Sequence, residues 1–435
     1  MIKTLPNISV IVLSSNNSAI TMVVDSIVSQ LNIDDELILV DDHSSNEILD
    51  QLNKYISLKN VFLINSEKKG NRSHNRNLGA QLAKNEILLF VDGDMILKND
   101  AINIFKHAHK NQLEIAFVGQ THATRYSEIP LKLYSGIQDY MKLISTEEGI
   151  KFITESDFFT DKRISFFNDL SLKDYFWLLY YSGVCSVEKS IFISIGGFDE
   201  TLTYWGAEDV DFGYEISKYG KIGFLKEVHS VHVPHKRDIF LIESSNYYNL
   251  QSLFIKHKTW EWELLSTFRV DSNILKEMIL LKNQLSMIEI ETIPNTRELN
   301  CVYINTLSKE NPNGRIEWNS EEKTELYNCI GISLAMLPKS VERVYINDNI
   351  FIYPSFLFCK ILQQALSIAN EVFIVHTKKT SRIIPLSRLK HFQTQSQLRT
   401  LYHSTDIMEY HFESINEGIT KVSTKINLQR QFELK

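Results

Sequence analysis

Cysteine is scarce in this chain. There are four in 435 residues, Cys185, Cys301, Cys329 and Cys359, widely spaced and without a CxxC pair. That pattern argues against a disulfide frame or a zinc knuckle and for reduced, buried thiols in a cytoplasmic protein. A basic surplus is also lacking: 46 Lys and Arg face 53 Asp and Glu, a formal net charge of −7. No broad positive field advertises nucleic acid, so none is expected as a partner. No stretch approaches the ~20 apolar residues that span a bilayer. The aromatic-rich run from Tyr175 to Val187 is too short and carries Ser182 and Gly183, which leaves only peripheral membrane contact open. Met1–Pro6 enters a strand pattern directly, without the apolar core of a signal peptide. Internal repeats and low-complexity blocks are missing too.

What is there is an ordinary globular composition, 43% hydrophobic and 23% charged, in a chain long enough for two or three domains. Apolar, β-branched runs at 8–13, 36–40, 61–64 and 87–91 read as buried strands, with helical spacing at 19–31, through Leu49, Leu52 and Ile56, and at 72–84. This alternation predicts a mostly parallel, Rossmann-like α/β sheet with helices on both faces. Its polar clusters at 14–17, 41–45 and 92–94 all follow strands, so they share the edge where such sheets bind ligands. Residues 100–175 look like insertions around an acceptor cleft. Helical periodicity dominates 239–292. A second, smaller α/β pattern starts near 299, with strands at 301–304, 344–346 and 372–375 and helices at 321–337 and 354–369, and the tail after 400 is weakly patterned. The expected domains are 1–238, 239–298 and 299–435, the last serving acceptor recognition or oligomerisation.

Two acidic clusters carry the chemistry. Asp92-Gly93-Asp94 closes an apolar strand. Its carboxylates suit Mg²⁺ or Mn²⁺ bridging a diphosphate, and Gly93 permits close approach of a phosphate or ribose; an acidic turn needs the same residues. Trp205-Gly206-Ala207-Glu208-Asp209-Val210-Asp211 follows Gly196-Gly197-Phe198-Asp199-Glu200. There a carboxylate can take a proton from an acceptor hydroxyl beside an aromatic platform for a sugar ring, although acids at a helix start also complement its dipole. Asp41 and Asp42 can bind a base or ribose, or close an Asx turn. Arg72 and Arg76 share a helix face that reaches an anion or faces water. His229, His232 and His235 recur every third residue in an extended stretch, where alternation prevents all three from sharing a side.

In order and spacing these motifs resemble the GT-A glycosyltransferases of the family 2 type, over about residues 7–238. The Gly-Gly-Phe-Asp-Glu and Trp-Gly-x-Glu-Asp block is similar to the C-terminal galactosyltransferase-type motif. The resemblance implies a metal-dependent, inverting transfer from a nucleotide-sugar donor, UDP-linked, to a glycan, peptide or small-molecule acceptor. It implies Asp209 as base and Glu208 as its acceptor-binding neighbour. Trp205, Tyr204 and Gly183 would contact substrate, and Asp41, Arg76, Asp92 and Gly93 the nucleotide. Asp94, His232, Asp92 and His229 would hold Mn²⁺ or Mg²⁺, while His235 has no counterpart. A loop near 204–206 would close over the donor. Homo-oligomerisation stays open. Two other classes compete. A sugar-nucleotide pyrophosphorylase needs a Gly-rich N-terminal loop with Arg and Lys, which Ser14-Ser15-Asn16-Asn17 does not provide. A carbohydrate-binding pseudoenzyme fits poorly with intact acids at 92, 94, 208 and 209.

Overall fold

Four apolar runs pair side by side as parallel strands. They are β1 (Ile8–Ser14), β2 (Glu36–Asp41), β3 (Val61–Asn65) and β4 (Ile87–Asp92), in the order β3-β2-β1-β4. Helices α1 (Ile20–Val28), α2 (Asn46–Ile56) and α3 (Arg72–Leu82) connect them. Strand side chains alternate between faces. Val10, Val12, Leu37, Leu39, Leu89 and Val91 join one buried core with Ile20, Val23 and Ile27 of α1 and Leu52 of α2. Ile11 and Val40 point the other way, onto Gly79 of α3. Both faces are therefore covered, which explains why these strands are continuously apolar.

This is a computed structural model; it describes residues 5–16, 19–111, 114–122, 137–156, 159–203, 205–233, 235, 239–268, 271–287, 297–305, 307–320, 322–334, 337, 341–347, 350, 355–375, 408–416 and 419–426. The chain divides into two compact units, Met1–Asn249 and Leu250–Lys435.

In the first unit the sheet continues with β5 (Met95–Leu97), β6 (Ala116–His122), β7 (Val184–Glu188) and β8 (Ile222–His232), giving eight strands in the order β3-β2-β1-β4-β7-β6-β8-β5. Here the direction changes: β7 runs antiparallel to β4 and β6, β8 parallel to β6, and β5 antiparallel to β8. The expectation that 100–175 is inserted around a cleft is corrected for β6, which lies inside the sheet between β7 and β8. All of β6 is buried, yet Gly119, Gln120, Thr121 and His122 hide its apolar signal. Also in this stretch are α4 (Ala101–Asn111), α5 (Ile137–Ile144), α6 (Glu147–Glu155), α7 (Ile164–Phe167) and a 3-10 helix (Leu170–Leu179). Then come α8 (Lys189–Ile195), α9 (Glu208–Ser217) and α10 (Ile239–His257); the division between the units falls within α10.

The second unit opens with α11 (Trp260–Phe268) and α12 (Ser272–Leu285). Its seven-stranded sheet contains β9 (Cys301–Asn305), β10 (Arg315–Asn319), β11 (Thr324–Tyr327), β12 (Val341–Asn347), β13 (Ala369–Val375), β14 (Met408–Asn416) and β15 (Ile419–Ile426), in the order β11-β10-β9-β12-β13-β15-β14. Helix α13 (Ser355–Ile368) precedes β13. Two expectations are corrected here. The helix predicted over 321–337 gives way to β11, which pairs antiparallel with β10. The tail after 400 contains the hairpin β14–β15; β14 alternates Met408, Tyr410 and Phe412 with Glu409, His411 and Glu413, a period-2 strand signal that the weakly patterned reading passed over.

Candidate active site

Strand register brings the first cluster together. Ser14 pairs with Asp41 and Leu13 with Asp92, so the ends of β2, β1 and β4 share one edge. Asp41 is buried; its Oδ2 accepts from the Ser44 amide at 3.0 Å, while Oδ1 has no protein partner. Asp42 accepts the Gly70 amide at 2.8 and 3.1 Å. Gly93 is pressed against β1, where a Cβ would come within 2.2 Å of the Leu13 carbonyl oxygen. Its lack of a side chain thus serves strand packing. Gly183 lies beside Asp92: its carbonyl accepts the Asp92 amide at 3.0 Å.

Arg76 is the hinge of the site. Its Nη2 donates to Asp92 at 2.9 Å and its Nη1 to Glu208 at 2.9 Å, with the guanidinium side chain only 2% exposed. It therefore joins the two acidic clusters, Asp92 from one and Glu208 from the other. Burial opposes its charge, but Asp92 and Glu208 outweigh it and hold the guanidinium protonated. Removing one partner of such a buried pair strands the other charge, at a cost of about 3–5 kcal/mol.

Glu208 and Asp209 begin α9 as neighbours with opposite electrostatics. Burial would raise Glu208, but Arg76 and Arg72 draw it below the ordinary glutamate range. Asp209 is pushed up to about 7, by burial first and the Glu208 charge next, against the pull of Arg76. Its Oδ2 accepts from the Ser182 amide at 3.1 Å and its Oδ1 from the Val210 amide at 2.9 Å. Asp211 is buried, and its amide caps the Ala207 carbonyl at 2.9 Å. Trp205 is half-buried, with the Arg72 guanidinium 5.6 Å from its ring. Tyr204 lies outside the described residues.

The block before α9 is anchored to α3. Asn77 Nδ2 donates to the Phe198 carbonyl and to Glu200, each at 3.0 Å, and Asn77 Oδ1 accepts the Phe198 amide at 2.8 Å. Gly197, at φ +82°, leaves room for that side chain: a Cβ would meet Asn77 Oδ1 at 2.5 Å. Glu200 also holds Lys68 and His74, at 2.8 and 3.0 Å.

Asp94, His232 and His235 meet on the other side of Asp92. Asp94 Oδ2 is 3.4 Å from His232 Nε2 and 3.0 Å from His235 Nε2, and one ligand atom from each lies within 4.8 Å of the others. Burial works to raise the Asp94 carboxyl, but the two imidazoles hold it well below the usual range. One carboxylate and two imidazole rings form a donor set that a divalent cation such as Mn²⁺ can use. His229 turns away. Its Nδ1 is 3.0 Å from Nε2 of His122, and burial followed by Lys98 lowers its basicity. Ser182 and His235 are the site residues that sequence reasoning did not select. Ser182 had one signal, its place at the polar end of the aromatic run.

Two family models match within this unit: glycosyl transferase family 2 over residues 9–176, and the N-terminal domain of galactosyltransferase over residues 163–236. The validoxylamine A glucosyltransferase of Streptomyces hygroscopicus subsp. jinggangensis is 26% identical over 230 residues, 52% of this chain and 54% of the relative. The hyaluronan synthase of Pasteurella multocida is 24% identical over 212 residues, 46% of this chain and 21% of the relative. The chain thus spans about half the glucosyltransferase and a fifth of the synthase. Among solved structures, GalNAc-T7 with UDP, GalNAc and Mn²⁺ covers 61% of this chain and 50% of its own at 17% identity, with a TM-score of 0.41. Residues 9–176 are thus similar to glycosyl transferase family 2 and residues 163–236 to the N-terminal domain of galactosyltransferase, and the curated relatives they share are themselves glycosyltransferases.

Proposed function

We propose that the chain is a metal-dependent, inverting glycosyltransferase that moves a sugar from a UDP-sugar to a hydroxyl of a glycan, peptide or small-molecule acceptor. The observation that carries this reading is the Arg76 bridge, which ties the Asp92–Asp94 edge to the Glu208–Asp209 helix start through two 2.9 Å ion pairs. A donor group and a proton acceptor can therefore sit side by side. Asp209 takes the acceptor's hydroxyl proton; the freed oxygen forms the new bond at the anomeric carbon while the bond to the diphosphate breaks on the opposite face. A carboxyl pushed up to about 7 is well matched to that role near neutral pH. Glu208, kept ionised by Arg76, orients the acceptor. Trp205 gives the sugar a flat apolar face. The unpartnered Oδ1 of Asp41 suits an N–H of the nucleobase. A divalent cation held by Asp94, His232 and His235 would neutralise charge on the departing diphosphate. UDP as the nucleotide rests on the motif resemblance, and a cytoplasmic setting on the free, buried thiols of Cys185, Cys301 and Cys329.

The test is a donor screen: hydrolysis of UDP-, GDP- and dTDP-sugars with Mn²⁺, with and without EDTA, for wild type and Asp209→Asn. We expect release of UDP that EDTA abolishes and Mn²⁺ restores. With an acceptor present, Asp209→Asn should lose about 10²-fold or more in transfer with UDP binding intact. Turnover insensitive to EDTA would remove the metal from the reading, and full transfer by Asp209→Asn would remove the base.

A further inference from the structure

The turn that aims Glu208 and Asp209 is unusual. Gly206 and Ala207 both have left-handed backbone conformations, with φ of +99° and +68°. A left-handed alanine is unfavourable, and it persists only where the surroundings impose it. No side-chain cap supports this helix start. What imposes the conformation comes from α10, more than 40 residues downstream in sequence. Asn249, 3% exposed, donates from Nδ2 to the Gly206 carbonyl at 2.7 Å. One helical turn earlier on the same face, Asn246 fills the space beside Gly206, where a Cβ would meet its Oδ1 at 2.7 Å. The next carbonyl, that of Ala207, accepts the Asp211 amide at 2.9 Å and opens α9. Gly206 is thus gripped from α10 immediately before the two acids.

We propose that Asn249 is a positioning residue for the transfer reaction: its amide clamps the Gly206 carbonyl, fixes the left-handed Gly206–Ala207 pair, and so sets the direction in which Glu208 and Asp209 leave the turn. This rests on the glycosyltransferase reading above. It adds a residue outside both matched family models, which end at residues 176 and 236. It also explains the glycine at 206, which must adopt positive φ and leave room for Asn246. The bond from Asn249 goes to the turn that precedes the two acids. Without its N–H the buried Gly206 carbonyl loses its partner, and the turn can relax to a conformation that swings α9's first residues away from the acceptor.

The test uses the full-length chain with two substitutions. Asn249→Ala removes the clamp. Asn249→Asp keeps the shape but presents an acceptor to the Gly206 carbonyl, so it should be at least as damaging. Two independent readouts separate the outcomes. The first is amide hydrogen exchange over residues 205–212, which needs no activity. Both variants should exchange faster there, with no change across β1–β4; unchanged exchange at 205–212 overturns the clamp. The second is steady-state kinetics per folded molecule. A misaimed base predicts kcat lowered about tenfold to hundredfold, with donor KM and UDP affinity unchanged. A residue that merely supports the fold would lower the thermal midpoint and leave kcat per folded molecule as in wild type, and that result overturns the positioning role. If wild type turns over none of the nucleotide sugars, the glycosyltransfer reading fails and the positioning role with it, while hydrogen exchange still decides whether the clamp exists.

Discussion

Asp209 and Glu208 are adjacent in sequence and opposite in electrostatic state, because one guanidinium serves only one of them directly. Arg76 bonds Glu208 at 2.9 Å, and Asp209 is left with burial and a neighbouring negative charge, which push it up to about 7. Two consequences follow in solution. The base is useful only when ionised, so kcat/KM for transfer should climb about tenfold per pH unit below about 7 and level off above it. For stability the sign is the reverse of the usual carboxylate. The folded pKa lies above the unfolded value, so the contribution is full below about 4 and is lost as pH rises through about 7. Thermal midpoints measured from pH 5 to pH 8 should therefore fall more for wild type than for Asp209→Asn; parallel curves would mean Asp209 titrates normally. At this scale the acids at 92, 94, 208 and 209 were legible because motif order and strand ends locate them. Of the histidines, His232 was legible too, but not that His235 rather than His229 joins it beside Asp94. In the pairing of β6 with β8, the partner jumps from Leu225 opposite Gly119 to His229 opposite Gln120. That irregularity resets which side chain faces which way, and simple alternation along the sequence cannot anticipate it. It leaves His229 against His122; β8 ends at His232, and His235 follows it.

Among the elements, α3 has the most demanding environment. It supplies Arg76 to the acids and Asn77 to the Gly197–Phe198 turn, and it must lie close on the sheet for both. Gly79 allows this: a Cβ there would stand 2.5 Å from Ile11 Cγ2 and 3.1 Å from Val40 Cγ2. Those methyls branch directly from strand β-carbons and cannot swing aside. Gly79→Ala should therefore lower stability by about 1–3 kcal/mol despite alanine's better helix propensity, and the displaced Arg76 should lower transfer as well. A denaturant midpoint equal to wild type's would show that the helix has room to lift. The first four strands and three helices were legible because buried parallel strands and one-sided helices announce themselves by composition and period. In contrast, β10, β11 and β15 were not, and the alternation of β14 went unread. Thr324, Glu325, Leu326 and Tyr327 place only Tyr327 in the interior, so cross-strand pairing stabilises β11 where apolar periodicity is weak.

For the first unit as a whole, strand order differs sharply from chain order. Among the eight strands, β8 comes last in sequence but lies inside the sheet, between β6 and β5. Met95 pairs with His232 and Thr121 with Ser230. Until β8 is in place, β6 and β5 each present an unpaired edge, and Asp94 has neither histidine. A chain ending at residue 221 should then be insoluble or bind Mn²⁺ no better than an Asp94→Ala variant of the full chain. Soluble, Mn²⁺-binding material from that truncation would overturn this dependence on β8. Seen along the ribosome rather than in the finished protein, the strand that closes the sheet brings the first histidine, His232, to Asp94, and His235 follows three residues later. Competence for metal therefore arrives within a few residues of the sheet's completion and not before it.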